Sequence, residues 1–156
     1  MSNALVVIPT YNEIENIELL LHDIISLQQD FDVLVVDDNS PDGTSAVVEK
    51  LIEVYPDTLF LIKRTSKLGL GTAYITGFKW ALEKQYDFIF EMDADFSHNP
   101  TDLLRLHSAC KNEDCDMAIG SRYVTGVNVV NWPMNRVLLS WGASKYVRWI
   151  TGMKID

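Results

Sequence analysis

Asp93 and Asp95 stand two positions apart behind the apolar run Phe88-Ile89-Phe90-Glu91-Met92, with only Ala94 between them. Carboxylates so placed supply hard oxygen ligands at a sheet edge, the donor type that magnesium and manganese take. A D-x-D pair is frequent by chance. Its place after a strand-like stretch carries the metal reading and points to a phosphate-bearing substrate. Asp37 and Asp38 follow Val33-Leu34-Val35-Val36 in the same way. Either Asp38 turns and caps the chain with Ser40 and Asp42, or at least one of the two acids accepts hydrogen bonds from a base or a ribose. Lys67-Leu68-Gly69-Leu70-Gly71 gives a flexible approach to a ligand, with Arg64 and Lys67 to offset phosphate charge. It has neither the G-x-G-x-x-G spacing nor the G-K-[ST] ending, so neither phosphate motif applies. His98 reads as a residue that caps or orients its loop, and His22 and His107 fall in helical patterns that need no function.

The elements that must position these residues alternate along the chain. Five short apolar runs read as strands: Ala4 to Ile8, Val33 to Val36, Thr58 to Ile62, Phe88 to Met92 and Met117 to Ile119. Their near-continuous apolar character fits parallel strands covered on both faces. Helical stripes lie between them. The first runs through Ile14, Ile17, Leu20, Leu21, Ile24 and Ile25, with Asn12 and Glu15 as its expected capping box. The second runs from Val47 to Tyr55 and stops at Pro56; the third holds Ala73, Phe78 and Ala81, and the fourth Leu103, Leu104, Leu106 and Ala109. The pattern predicts an open α/β sheet, mainly parallel, with helices on both faces and right-handed crossovers. Ligands of such sheets bind in the loops after the strand C-termini, which is where the acids, Pro9 to Glu13 and Arg64 to Gly71 fall.

Composition bounds the function classes. A chain of 156 residues with 47% hydrophobic content fits one compact domain. The net charge of -9 disfavours a general nucleic-acid binder. No run of eighteen apolar residues occurs, so neither a membrane span nor a signal peptide is expected. Cys110 and Cys115 read as reduced thiols of a cytosolic protein. The charge is uneven: residues 1–121 hold 21 acids and 8 bases, whereas residues 122–156 hold one acid and five bases. That basic stretch also contains Trp132, Trp141 and Trp149, with Val137, Leu138 and Tyr146 among them. It suits peripheral contact with a lipid interface, with ordinary packing as the alternative.

Taken in order, Pro9-Thr10-Tyr11-Asn12-Glu13, Val35-Val36-Asp37-Asp38-Asn39-Ser40-Pro41-Asp42-Gly43-Thr44, Gly69-Leu70-Gly71, Met92 to Pro100 and Gly120-Ser121-Arg122-Tyr123-Val124 span nearly the whole chain. The set resembles the family-2 glycosyltransferases, and most closely the polyprenyl-phosphate sugar synthases of the dolichol-phosphate mannosyltransferase type. The resemblance implies a GT-A, Rossmann-like fold over residues 1–156, incomplete at its C-terminus, because such enzymes continue past the position of Asp156 with a Gly-Phe-Arg element. It implies transfer of mannose from GDP-mannose to a polyprenyl phosphate, with Mg2+ or Mn2+, at the cytoplasmic face of a membrane. By the same resemblance Pro9, Tyr11 and Glu13 line the nucleobase pocket and Asp38 contacts the nucleoside. Asp93 and Asp95 bind the donor diphosphate through the metal, and Arg122 positions a donor or acceptor phosphate. Arg136 and Arg148 take the acceptor phosphate, and helices over 131–150 face the acceptor or the membrane. Asp95, Asp93 and Arg122 are thus the leading catalytic candidates. The acceptor phosphate is already anionic, so a single inverting displacement needs no strong base. The alternatives are UDP-glucose with another acceptor, a nucleotidyltransferase, or a nucleotide-sugar binding domain; no protein partner is implied.

Overall fold

The computed structural model describes residues 2–27, 29–112, 115–120 and 134–152, apart from the side chains of 136 and 137. By contacts the chain divides into two units, Met1–Asp116 and Met117–Asp156.

The first unit is built on four parallel strands, β1 (Ala4–Thr10), β2 (Asp32–Asp37), β3 (Leu59–Lys63) and β4 (Phe88–Glu91), in the order β3-β2-β1-β4. Every residue of β2 is buried, as the absence of clean alternation requires of a strand covered on both faces. Side chains alternate between two cores. Ala4, Val6, Ile8, Val33 and Val35 face Ile17, Leu20, Leu21 and Ile24 of α1 (Ile17–Ile25), Val48 and Leu51 of α2 (Thr44–Val54), and Leu103 of α4 (Asp102–Asn112). Leu5, Val7, Leu34 and Val36 face Ala73 and Ala81 of α3 (Leu70–Glu83). Burying one such Leu or Ile contributes about 1.5–3 kcal/mol, so both faces are needed to hold the central pair of strands. This is the GT-A-like Rossmann arrangement, with helices on both sides of a parallel sheet.

Two close contacts set the layer spacing. Helix α3 approaches β1 at Gly77, where an added Cβ would lie 2.4 Å from Val7 Cγ1. On the other face, buried His107 of α4 packs edge-on against Phe88, with ring centroids 4.7 Å apart, and beside Phe31 and Phe90. Burial, with Lys111 nearby, holds its imidazole below the usual range, so His107 acts as a neutral core ring.

Three local expectations are corrected. The capping box of Asn12 and Glu15 does not form. The backbone N–H groups of Asn16 and Ile17 instead turn back onto the Glu13 carbonyl at 3.1 and 2.9 Å, and the helix begins only at Ile17. Ile14 therefore sits ahead of the helix and is 42% exposed rather than on its buried stripe. Met117 to Ile119 is not a strand: Met117 and Ile119 are exposed, and the run joins no ladder among the described residues. Three residues offer too few ladder bonds and too little buried area to hold a strand without a neighbour.

The second unit contains α5 (Met134–Thr151). Leu138, Leu139, Trp141, Tyr146, Trp149 and Ile150 are exposed on it, and Lys145 Nζ lies 3.9 Å above the Trp141 ring. No helix among the described residues is long and apolar enough to cross a membrane.

Candidate functional site

The chain reverses its direction across the sheet at β1. Strands β2 and β3 lie on one side of it and β4 on the other, so the exits of β1 and β4 are neighbours at the carboxyl edge of the sheet, where ligands of such sheets bind. The exit of β1 is stitched onto the exit of β2. Asn12 N–H donates to Ser40 Oγ at 3.0 Å, Glu13 N–H to Thr44 Oγ1 at 3.0 Å and Ile14 N–H to Asp42 Oδ2 at 3.1 Å. Asn12 and Asn39 take the left-handed conformation these tight exits require, which asparagine tolerates.

The two acids of the β2 exit part company. Asp37 is fully buried and all its capacity is spent inside the fold: Thr10 Oγ1 and Ser40 Oγ donate to Oδ1, and Ser40 N–H and Ser45 Oγ to Oδ2. Burial alone would raise its carboxyl, but the Ser40 and Ser45 donors outweigh that and hold it below the usual range. Asp37 is therefore the structural member. Asp38 reaches across to the segment before α3, accepting from Leu68 N–H at 3.1 Å and Gly69 N–H at 2.9 Å. Gly69, with φ 96° and ψ 158°, occupies backbone space open essentially to glycine alone. Arg64 Nη1 lies 2.8 Å from Asp38 Oδ1, with both side chains nearly buried, yet no N–H is aligned on that oxygen. Charge rather than a hydrogen bond holds this pair. Asp38 Oδ1 is itself buried against Arg64, while the residue lines the cleft.

At the β4 exit, Tyr74 Oη donates to Asp93 Oδ1 at 3.1 Å, and Asp93 N–H donates to His98 Nδ1 at 3.3 Å. Asp95 Oδ1 accepts from Ser97 N–H at 2.9 Å. Burial opposes ionisation of Asp95, but the Ser97 donors prevail and keep its carboxyl below the usual range. Phe96 between them has φ 57°, a left-handed conformation that a bulky residue adopts only at a cost.

These segments enclose an open cleft of about 300 Å³. It brings together six expected site residues: Pro9, Tyr11, Glu13, Asp38, Asp93 and Asp95. Lys67, expected only as nearby charge, also lines it, with Nζ 3.7 Å above the Tyr11 ring. Tyr74 escaped the sequence reading because nothing local to α3 marks it as the partner of an acid nineteen residues later. Arg122 and the Arg136 side chain lie outside the described residues, as does Trp132. Arg148 lies on α5 in the second unit.

Residues 5–153 match the family model described as glycosyl transferase family 2. The chain belongs to this family.

Among family relatives it is 48% identical over 152 residues to polyprenol monophosphomannose synthase of Mycolicibacterium smegmatis, covering 97% of this chain and 57% of that one. It is 46% identical over 152 residues to undecaprenyl-phosphate mannosyltransferase of Micrococcus luteus, again covering 97% of this chain, and 61% of that one. The family-2 chain thus spans about three-fifths of the length of these relatives. In structure it resembles S. aureus TarS 1-349 with a TM-score of 0.55 and 26% identity, covering 85% of this chain and 38% of that one. The donor set of this family-2 cleft fits a hard divalent cation. Asp93 and Asp95 present oxygen only, and Asp93 Oδ2 takes no protein donor among the described residues. No cluster of three acidic, histidine or cysteine ligands occurs among them. Two carboxylates completed by substrate phosphates and water are a usual magnesium arrangement.

Proposed function

We propose that the chain carries the donor site of an inverting mannosyltransferase that moves mannose from GDP-mannose to a polyprenyl phosphate. The observation that carries this reading is the meeting in one cleft of a paired carboxylate, an aromatic face and a cation: Asp93 with Asp95, Tyr11, and Lys67. The names of the two relatives, a polyprenol monophosphomannose synthase and an undecaprenyl-phosphate mannosyltransferase, support the choice of sugar and acceptor.

Each residue then has a physical task. The Tyr11 ring offers a stacking face to the nucleobase, and Pro9 and Glu13 close the pocket around it. Asp38, at the wall of the cleft, contacts the nucleoside. Asp93 and Asp95 hold Mg2+ or Mn2+ against the donor diphosphate. When bound, that ion supplies positive charge to the departing nucleoside diphosphate. Lys67 adds a second cation within the cleft. The acceptor phosphate oxygen attacks the anomeric carbon as the bond from that carbon to the diphosphate oxygen breaks, which inverts the centre. The acceptor needs no general base, because its phosphate is ionised near neutral pH.

Arg122 is proposed to position a donor or acceptor phosphate, and Arg136 and Arg148 to take the acceptor phosphate. Helix α5, with exposed Trp141 and Trp149 and the cation of Lys145, is proposed to rest on a lipid interface at the cytoplasmic face of a membrane. The test is transfer of radiolabelled mannose from GDP-mannose to undecaprenyl phosphate, with Mn2+, Mg2+ or chelator, using the chain. A lipid-extractable product that requires the ion is expected. Transfer from UDP-glucose but not from GDP-mannose overturns the donor assignment, and nucleotide binding without turnover overturns the enzyme reading.

A further inference from the structure

Asp93 is gripped from two sides by groups on different elements. Tyr74, from α3, donates its hydroxyl to Asp93 Oδ1 at 3.1 Å. Its own ring is fixed, stacked on Phe78 with centroids 6.1 Å apart and packed against the core under α3. His98, from the loop itself, accepts the Asp93 backbone N–H at Nδ1, which puts the ring hydrogen on Nε2. Between these contacts the loop carries the left-handed Phe96. A strained residue persists only where its surroundings over-determine it. The His98 contact spans Phe96 and closes the loop on Asp93.

We propose that Tyr74 and His98 are positioning residues for the divalent cation. Tyr74 engages Oδ1 of Asp93 and leaves Oδ2 as the ligand oxygen, while His98 fixes the main chain from which that carboxylate projects. This rests on the reading that Asp93 and Asp95 hold the ion with the donor diphosphate. Partners of this kind orient a ligand without touching the metal.

The test is calorimetric titration of Mn2+ into the chain saturated with GDP, beside GDP binding without metal and thermal unfolding. Tyr74→Phe keeps the ring and removes one hydroxyl. It should weaken Mn2+ binding about tenfold while metal-free GDP affinity stays within about twofold. His98→Ala should weaken Mn2+ binding similarly. His98→Asn should restore it, because Asn Oδ1 lies where Nδ1 does, whereas His98→Gln, whose amide reaches the Nε2 position, should not. Unchanged Mn2+ affinity in Tyr74→Phe overturns the role of Tyr74. Rescue by Gln and not by Asn, or unchanged affinity in His98→Ala, overturns that of His98. Failure of the unsubstituted chain to bind Mn2+ with GDP overturns the metal reading itself, and the proposal with it.

Discussion

The Lys67 ammonium lies 3.7 Å above the centre of the Tyr11 ring, inside the cleft. One face of that ring is thus already engaged by a cation. Tyr11→Ala should weaken GDP binding by about 1–3 kcal/mol, the usual worth of one base stacked on an aromatic side chain, while Tyr11→Phe should leave it nearly unchanged. Calorimetry on the folded variants checks both. Equal loss in Ala and Phe would show that the hydroxyl, not the ring, matters.

Asp95→Asn keeps the shape of the side chain and removes its charge. Ion-dependent mannose transfer should fall by roughly a hundredfold, about 3 kcal/mol of transition-state stabilisation, with the thermal midpoint little changed. Steady-state rates at saturating Mn2+ provide the measurement.

Asp37 gives the fold a pH dependence of known sign. Its carboxyl is held below the ordinary value of 3.8, so the native state binds fewer protons than the unfolded chain around that pH. Its contribution is complete above the unfolded value and is lost as pH falls through the lower, folded one. Urea unfolding between pH 6 and pH 2 should show that decline. Asp37→Asn should be less stable at pH 6 and lose less on acidification.

Gly77→Ala forces a methyl to within 2.4 Å of Val7 Cγ1, between α3 and the central strand. Overpacking of this kind costs about 1–3 kcal/mol. Chemical denaturation should show the loss, and adding Val7→Ala should return part of it by removing the opposing methyls. Strict additivity of the two substitutions would count against direct contact.

Much of the frame was legible because its signals are local. The runs that became β1 to β4 bury apolar side chains on both faces, and the stripes of α1, α2 and α4 match the core they cover. Three of the departures share one cause: the deciding partner lies far away in sequence. Asp37 and Asp38 are alike as neighbours, and only Thr10, Ser45 and the segment before α3 assign one to the fold and the other to the cleft. Asn12 looked like a cap until its backbone found Ser40. Tyr74 carries no local signal of its own, and only the fold brings Asp93 beside it. Met117 to Ile119 failed for the converse reason, since an apolar run is a strand only when another strand accepts its hydrogen bonds.

The position of β1 governs the order in which the molecule can assemble. Val6 pairs with Val33 and Val33 with Leu59, each across a modest stretch, whereas Ala4 must wait for Phe88. Closing so long a loop is entropically slow and is rewarded late. During synthesis the first three strands can associate while the partner that supplies Asp93 and Asp95 is still emerging, so the acidic rim of the cleft is the last part of the sheet to come into being.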